Sequence, residues 1–62
     1  MEIATQIKEQ FDAFVLENGK FNGGNSAAGT RARKALGELA KLAKVRRNEI
    51  TVEKNSRKEA KA

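Results

Sequence analysis

The sequence predicts an all-α fold: a helical hairpin with a short first helix and a long basic second helix, assembling as a dimeric four-helix bundle. Three observations predict it. Apolar residues recur at helical spacing over two stretches. A segment rich in Gly and Asn divides those stretches, and the chain contains no Pro to break either one. At 62 residues the chain is one domain, 1–62. A chain that short buries only about 60% of its unfolded surface alone, so association with a second chain or a ligand is expected to supply the rest.

Residues 2–18 read as the first helix. At about 100° per residue, Ile3, Ile7, Phe11 and Phe14 fall within about 80° of one another, and Ala4 and Val15 widen the stripe to about 120°. Leu16 lies well off it. Asn18 and Gly19 follow the last apolar residues, which places the helix stop there and a Gly-rich loop at 19–25. Phe21 is the odd residue of that loop. It either folds back as a plug over the end of the hairpin or stands out as a stacking side chain. Residues 26–60 read as one long helix with Asn25 or Ser26 as N-cap. Ala28, Ala32, Ala35, Leu36, Leu39, Leu42, Ala43 and Ile50 share one face, with the small residues nearest the loop. Gly37 lies opposite that face. Pairing 2–18 with about 26–44 leaves 45–62 without an intrachain partner, and 57–62 is expected to fray. The expected oligomer core is Ile3, Ile7, Phe11 and Phe14 against Leu36, Leu39 and Leu42.

Composition narrows the chemistry. With no Cys and no His, disulfides, ordinary zinc, haem or iron–sulfur sites, and nucleophile–base pairs built on those residues are excluded. No carboxylate pair suggests catalysis, since Glu53 and Arg57 at i,i+4 read as a plain ion pair. No cofactor, metal or small-molecule substrate is expected, and no catalytic residue is assigned. The longest apolar run, Ala13 to Leu16, is far too short to span a membrane, and no apolar stretch resembles a signal peptide. A basic helix lying on a membrane surface would need a Trp-, Phe- or Leu-rich face that this one lacks. The cytoplasm, with its nucleoid, or the interior of a viral particle is the expected location.

Charge carries the functional signal. Thirteen Lys and Arg stand against eight Asp and Glu, and the pI is near 10.0. Residues 1–25 are weakly acidic, whereas 26–62 hold eleven of the thirteen cations. Between 31 and 47 only Glu38 opposes seven basic residues. Such a one-sided excess is the electrostatic footprint of a nucleic-acid binder. With no base-reading motif, phosphate contact is the expected mode. Gly24-Asn25-Ser26-Ala27-Ala28-Gly29-Thr30 has the glycine spacing of a phosphate-binding loop but neither its Lys nor a preceding strand, so nucleotide hydrolysis is rejected. A helix start after that loop, close to Arg31 and Arg33, is either a phosphate contact or a plain N-cap.

The stretches Asn25-Ser26-Ala27-Ala28-Gly29-Thr30-Arg31-Ala32-Arg33-Lys34 and Leu39-Ala40-Lys41-Leu42-Ala43-Lys44-Val45-Arg46-Arg47-Asn48-Glu49-Ile50 resemble the bacterial histone-like family typified by the chlamydial histone. The resemblance covers residues 3–56. It implies non-specific DNA binding and nucleoid compaction, with Arg31, Arg33 and Lys34 matching the family's Arg-x-Arg region and Lys44, Arg46 and Arg47 its later basic stretch. Ser26 stands where Lys is common in the family. The Lys-, Ala- and Pro-rich tail of the chlamydial member has no counterpart in these residues.

Together these readings predict a homo-oligomeric binding protein for double-stranded DNA, with RNA the other candidate polymer. The expected DNA-binding residues are Arg31, Arg33, Lys34, Lys41, Lys44, Arg46 and Arg47, with Lys54, Arg57 and Lys58 contributing less. The rival readings are a basic structural component of a nucleic-acid-containing particle, virion or ribosome, and a helical interaction module.

Overall fold

The computed structural model describes residues 2–61, with side chains described as far as Arg57. Two helices, α1 (Ile3–Asn22) and α2 (Ser26–Lys61), fold back on each other as an antiparallel hairpin. Among the described residues there is no strand. At about 1.5 Å per residue α1 is roughly 30 Å long and α2 roughly 54 Å. The longest dimension of the molecule, 56 Å, is therefore that of α2 alone.

The first helix runs past its expected stop. Gly19 lies inside α1, and the connection shrinks from the expected 19–25 to Gly23, Gly24 and Asn25. Three glycines offered a stop, and backbone bonding selects the later pair. The Gly23 N–H donates to the Gly19 carbonyl, Gly24 to Phe21 and Asn25 to Lys20. Gly24 takes φ of 105°, the left-handed region that glycine enters without a Cβ penalty. Asn25, one of the two N-cap positions the sequence offers, then caps α2, its Oδ1 accepting the Ala28 N–H at 3.1 Å. That cap uses one of the free N–H groups of the helix start.

The seam between the helices is narrower than the apolar stripes suggest. On α2 the fully buried residues are Ala28, Ala32 and Ala35, at i, i+4 and i+7. Their small side chains let the α1 backbone come close near the loop, since interaxial distance follows side-chain size. Further along, Leu39, Leu42, Ala43 and Arg46 are partly covered, and on α1 so are Ile3, Gln6, Ile7, Gln10, Phe14, Glu17 and Asn18. Phe11 was expected on the core stripe but is 52% exposed. The covered α1 positions centre nearer Gln10 than Phe11, so the helix is rotated about its axis relative to the apolar stripe. Leu36 is likewise exposed.

Phe21, now in the last turn of α1, takes the plug role while keeping half its surface in solvent. A Cβ built on Gly29 would lie 2.6 and 2.8 Å from two atoms of the Phe21 ring. The ring thus rests on the bare backbone of α2 where any other residue would displace it. Gly37 has nothing comparable, with open space around a built Cβ. Coverage ends at Arg46, and every residue from Arg47 to Arg57 is exposed. Of the half expected at 45–62 to lack an intrachain partner, Arg46 is partly covered, 47–57 form an exposed overhang of α2, and the side chains of 58–62 lie outside the described residues. The backbone remains helical to Lys61, and Ala62, the end of the tail expected to fray, lies outside the described residues.

Candidate nucleic-acid interface

The ion pairs divide the cations of the chain into engaged and free. Glu17 is the centre of the engaged group. Its side chain is only 15% exposed and accepts from Arg31 Nε at 2.8 Å across the hairpin, with Lys20 Nζ at 3.8 Å on its other oxygen. Arg31 is therefore a tie between the helices. Lys41 pairs with Glu38 at 3.8 Å, Arg46 with Glu49 at 3.1 Å, and Arg57 with Glu53. On α1, Lys8 donates to Asp12 at 2.8 Å, and this bond raises the Lys8 pKa above the ordinary lysine value.

Each described carboxylate of α2 is thus occupied by a cation of α2 itself. What remains is Arg33, Lys34, Lys44, Arg47 and Lys54, all exposed and none in an ion pair among the described residues. Four of them line up. At about 100° per residue Arg33, Lys44, Arg47 and Lys54 fall within about 80° of one another. Glu38, Glu49 and Glu53 cluster on the far side of the helix, with their centre about 170° from the middle of that stripe. Arg33 and Lys54 are about 32 Å apart along the axis at 1.5 Å per residue. Lys34 projects away from the stripe. Among the described residues α2 therefore carries its ion-paired carboxylates on one side and four cations outside ion pairs on the other, acid-free side.

This sorting rearranges the expected site. Arg33, Lys44 and Arg47, all among the expected DNA-binding residues, share one side of α2. Arg31, Lys41 and Arg46, also expected in the site, each lie within ion-pair distance of a carboxylate. Lys54, expected to contribute less because its region is expected to fray, lies on the same side of α2 and extends the row. Its signal was in the sequence: none of Arg33, Lys44, Arg47 and Lys54 has a carboxylate three or four residues away on either side, the spacing at which helix ion pairs form.

Beside the stripe, toward the hairpin tip, lies a shallow groove lined by Phe21, Gly29, Ala32, Arg33 and Leu36, with Asn18 at its edge. It makes one side of the hairpin apolar where the row of cations begins. Among the described residues no cluster of acidic side chains is suited to a metal, and no helix is long and apolar enough to cross a membrane.

Residues 1–56 match the family model described as Histone H1-like protein Hc1. That match covers most of the chain, and the chain belongs to this family. No curated protein and no solved structure matches it.

Proposed function

From its membership of the histone H1-like family, we propose that this chain is a non-sequence-specific DNA-binding protein that coats or compacts duplex DNA through phosphate contacts. The observation that carries the reading is the sorting of charge on α2. A helix that engages Glu38, Glu49 and Glu53 with its own cations leaves Arg33, Lys44, Arg47 and Lys54 as a clean row of donors. Duplex DNA carries about one phosphate charge per 1.7 Å of axis over both strands, and a row of cations about 32 Å long spans roughly one turn of that polyanion. Such contacts fix position on the duplex and carry no base information. The role is that of a binding protein, without catalysis or cofactor, in the nucleoid or on nucleic acid packaged in a particle.

The proposal includes self-association. Phe11, Val15 and Leu36 are large apolar residues left exposed, and Phe11 and Val15 neighbour each other on α1. Among the described residues the buried core of the hairpin is Ala28, Ala32 and Ala35. A second copy covering Phe11, Val15 and Leu36 would complete a four-helix bundle. In that arrangement Ile3, Ile7, Phe14, Leu39 and Leu42 serve the seam within each hairpin, and Phe11 and Leu36 serve the contact between hairpins.

A mobility-shift titration with two duplexes of unrelated sequence and a single-stranded RNA competitor tests the binding reading. Equal shifts of both duplexes, resistant to an equal mass of RNA, are expected. A shift of only one sequence, or complete capture by RNA, would refute it.

A further inference from the structure

We propose that α2 beyond Arg46 is a helix–coil switch, unfolded for much of the time in the free chain and driven into helix when a polyanion engages its cations. The inference rests on the DNA-binding reading and adds a conformational step to it. Its first ground is support. From Arg47 to Arg57 every residue is exposed, whereas Arg46 and the seam residues before it are at least partly covered. The helix there has only its own hydrogen bonds. In proteins most helical stability comes from tertiary packing of one face, so a helix extension without that packing depends on its own propensity.

The second ground is composition. The overhang contains Asn48, Thr51, Val52, Asn55 and Ser56, all weaker helix formers than Ala, Leu, Lys or Glu. Thr51 Oγ1 bonds back to the Arg47 carbonyl at 3.0 Å, a local bond that competes with the ladder. Val52 is 68% exposed and gains nothing from packing. Helix is favoured there by Arg47, Glu49, Glu53, Lys54 and Arg57 and by the exposed Arg46–Glu49 and Arg57–Glu53 pairs, against six weaker formers between Asn48 and Ser56, Ile50 included.

The third ground is that the helical form is the one that makes the stripe. Only with helical spacing do Arg47 and Lys54 join Arg33 and Lys44 on one side. A polyanion laid along Arg33 and Lys44 therefore binds the helical overhang better than the coil. That differential affinity is what shifts the equilibrium. Apparent affinity is lowered by the fraction of time the overhang spends as coil, and pre-forming the helix recovers it.

Amide hydrogen exchange of the full chain, read residue by residue by NMR without and with an arbitrary duplex at low salt, tests this. In the free chain the amides of Thr51 to Arg57 should exchange within about tenfold of unstructured rates, and those of Ala32 to Leu42 at least about 100-fold more slowly. Adding duplex should slow the first group about tenfold. High protection of Thr51 to Arg57 in the free chain would overturn the proposal. So would a bound duplex, seen as shifts at Arg33 and Lys44, that leaves their exchange unchanged. If no resonance responds to duplex, this proposal and the DNA reading fail together, an outcome distinct from the other two. A second measurement uses the double variant Asn48→Ala, Asn55→Ala, which alters no charge and no member of the stripe. It should tighten duplex binding by up to about tenfold through helix propensity alone. Unchanged affinity would refute the switch.

Discussion

Replacing Gly29 by Ala asks whether the Phe21 ring rests on the α2 backbone. In a helix interior Gly→Ala contributes up to about 1 kcal/mol of stability, somewhat less within the first turns. At Gly37 nothing opposes that gain, because a Cβ there meets open space. At Gly29 the new methyl would sit 2.6 Å from the ring of Phe21, far inside contact distance, so the ring must swing away. Phe21 is 52% exposed, and losing the burial of the other half costs about 1 kcal/mol. The gain and the loss nearly cancel. Gly37→Ala should therefore raise the thermal midpoint by about 4–8 °C, while Gly29→Ala leaves it near or below the starting value. In a Phe21→Ala background the conflict is gone, and Gly29→Ala should stabilise by its full propensity. The coupling between positions 21 and 29 is then about 1 kcal/mol. Far-ultraviolet circular dichroism melts at one protein concentration measure all four chains. Equal stabilisation by Gly29→Ala and Gly37→Ala, with no coupling to Phe21, would refute the packing described.

Other perturbations separate the roles of neighbouring residues. Ala28→Leu should destabilise by about 1–3 kcal/mol in urea titrations, because a fully buried alanine at the seam leaves no room for a larger side chain. Arg31→Met should lower stability by about 1 kcal/mol through loss of the Glu17 tie, yet weaken DNA binding less than Arg33→Met does, as anisotropy titrations would show. Phe11→Ala should cost a dilute hairpin no more than about 1.5 kcal/mol, since half the ring is already in water. Its larger effect is expected on association, seen as a shift toward monomer in sedimentation at micromolar concentration. The Lys8–Asp12 pair contributes fully below the ordinary lysine pKa and is lost as pH rises through the raised folded-state value. Helicity of the wild type and of Lys8→Gln should converge above that pH, and a persistent difference would contradict the assignment.

Helix existence was legible because periodicity is a local property. Ile3, Ile7 and Phe14 face the seam as their spacing predicts, and the alanines at 28, 32 and 35 mark the close approach. Rotation of α1 was not legible. Gln10 and Phe11 are adjacent, and which one turns inward depends on how the opposing alanines let the helix lie, a property of both helices together. The stop of α1 was ambiguous for a similar reason. Gly19, Gly23 and Gly24 all permit a turn, and the choice shows only in the backbone bonds that close the helix at Gly23 and Gly24. For the site, the excess of Lys and Arg was plain, but excess charge is a sum and binding needs free groups. The free cations emerge once each carboxylate is given its partner, and one of those pairings, Glu17 with Arg31, crosses the hairpin where sequence spacing says nothing.

The central claim is that an acid-free row of cations on α2 binds DNA phosphates. The direct measurement is duplex affinity by fluorescence anisotropy between 50 and 200 mM salt for three chains. These are the wild type, a variant with Arg33, Lys44, Arg47 and Lys54 changed to Gln, and a variant with the ion-paired Lys41, Arg46 and Arg57 changed to Gln. Four neutralised phosphates give the wild type a slope of log affinity against log salt of about −3.6 per chain. The account predicts that the first variant loses about three to four units of that slope for every DNA sequence, while the second loses less than about one. A stripe variant that keeps the wild-type slope, or a paired-cation variant that loses as much, would contradict it.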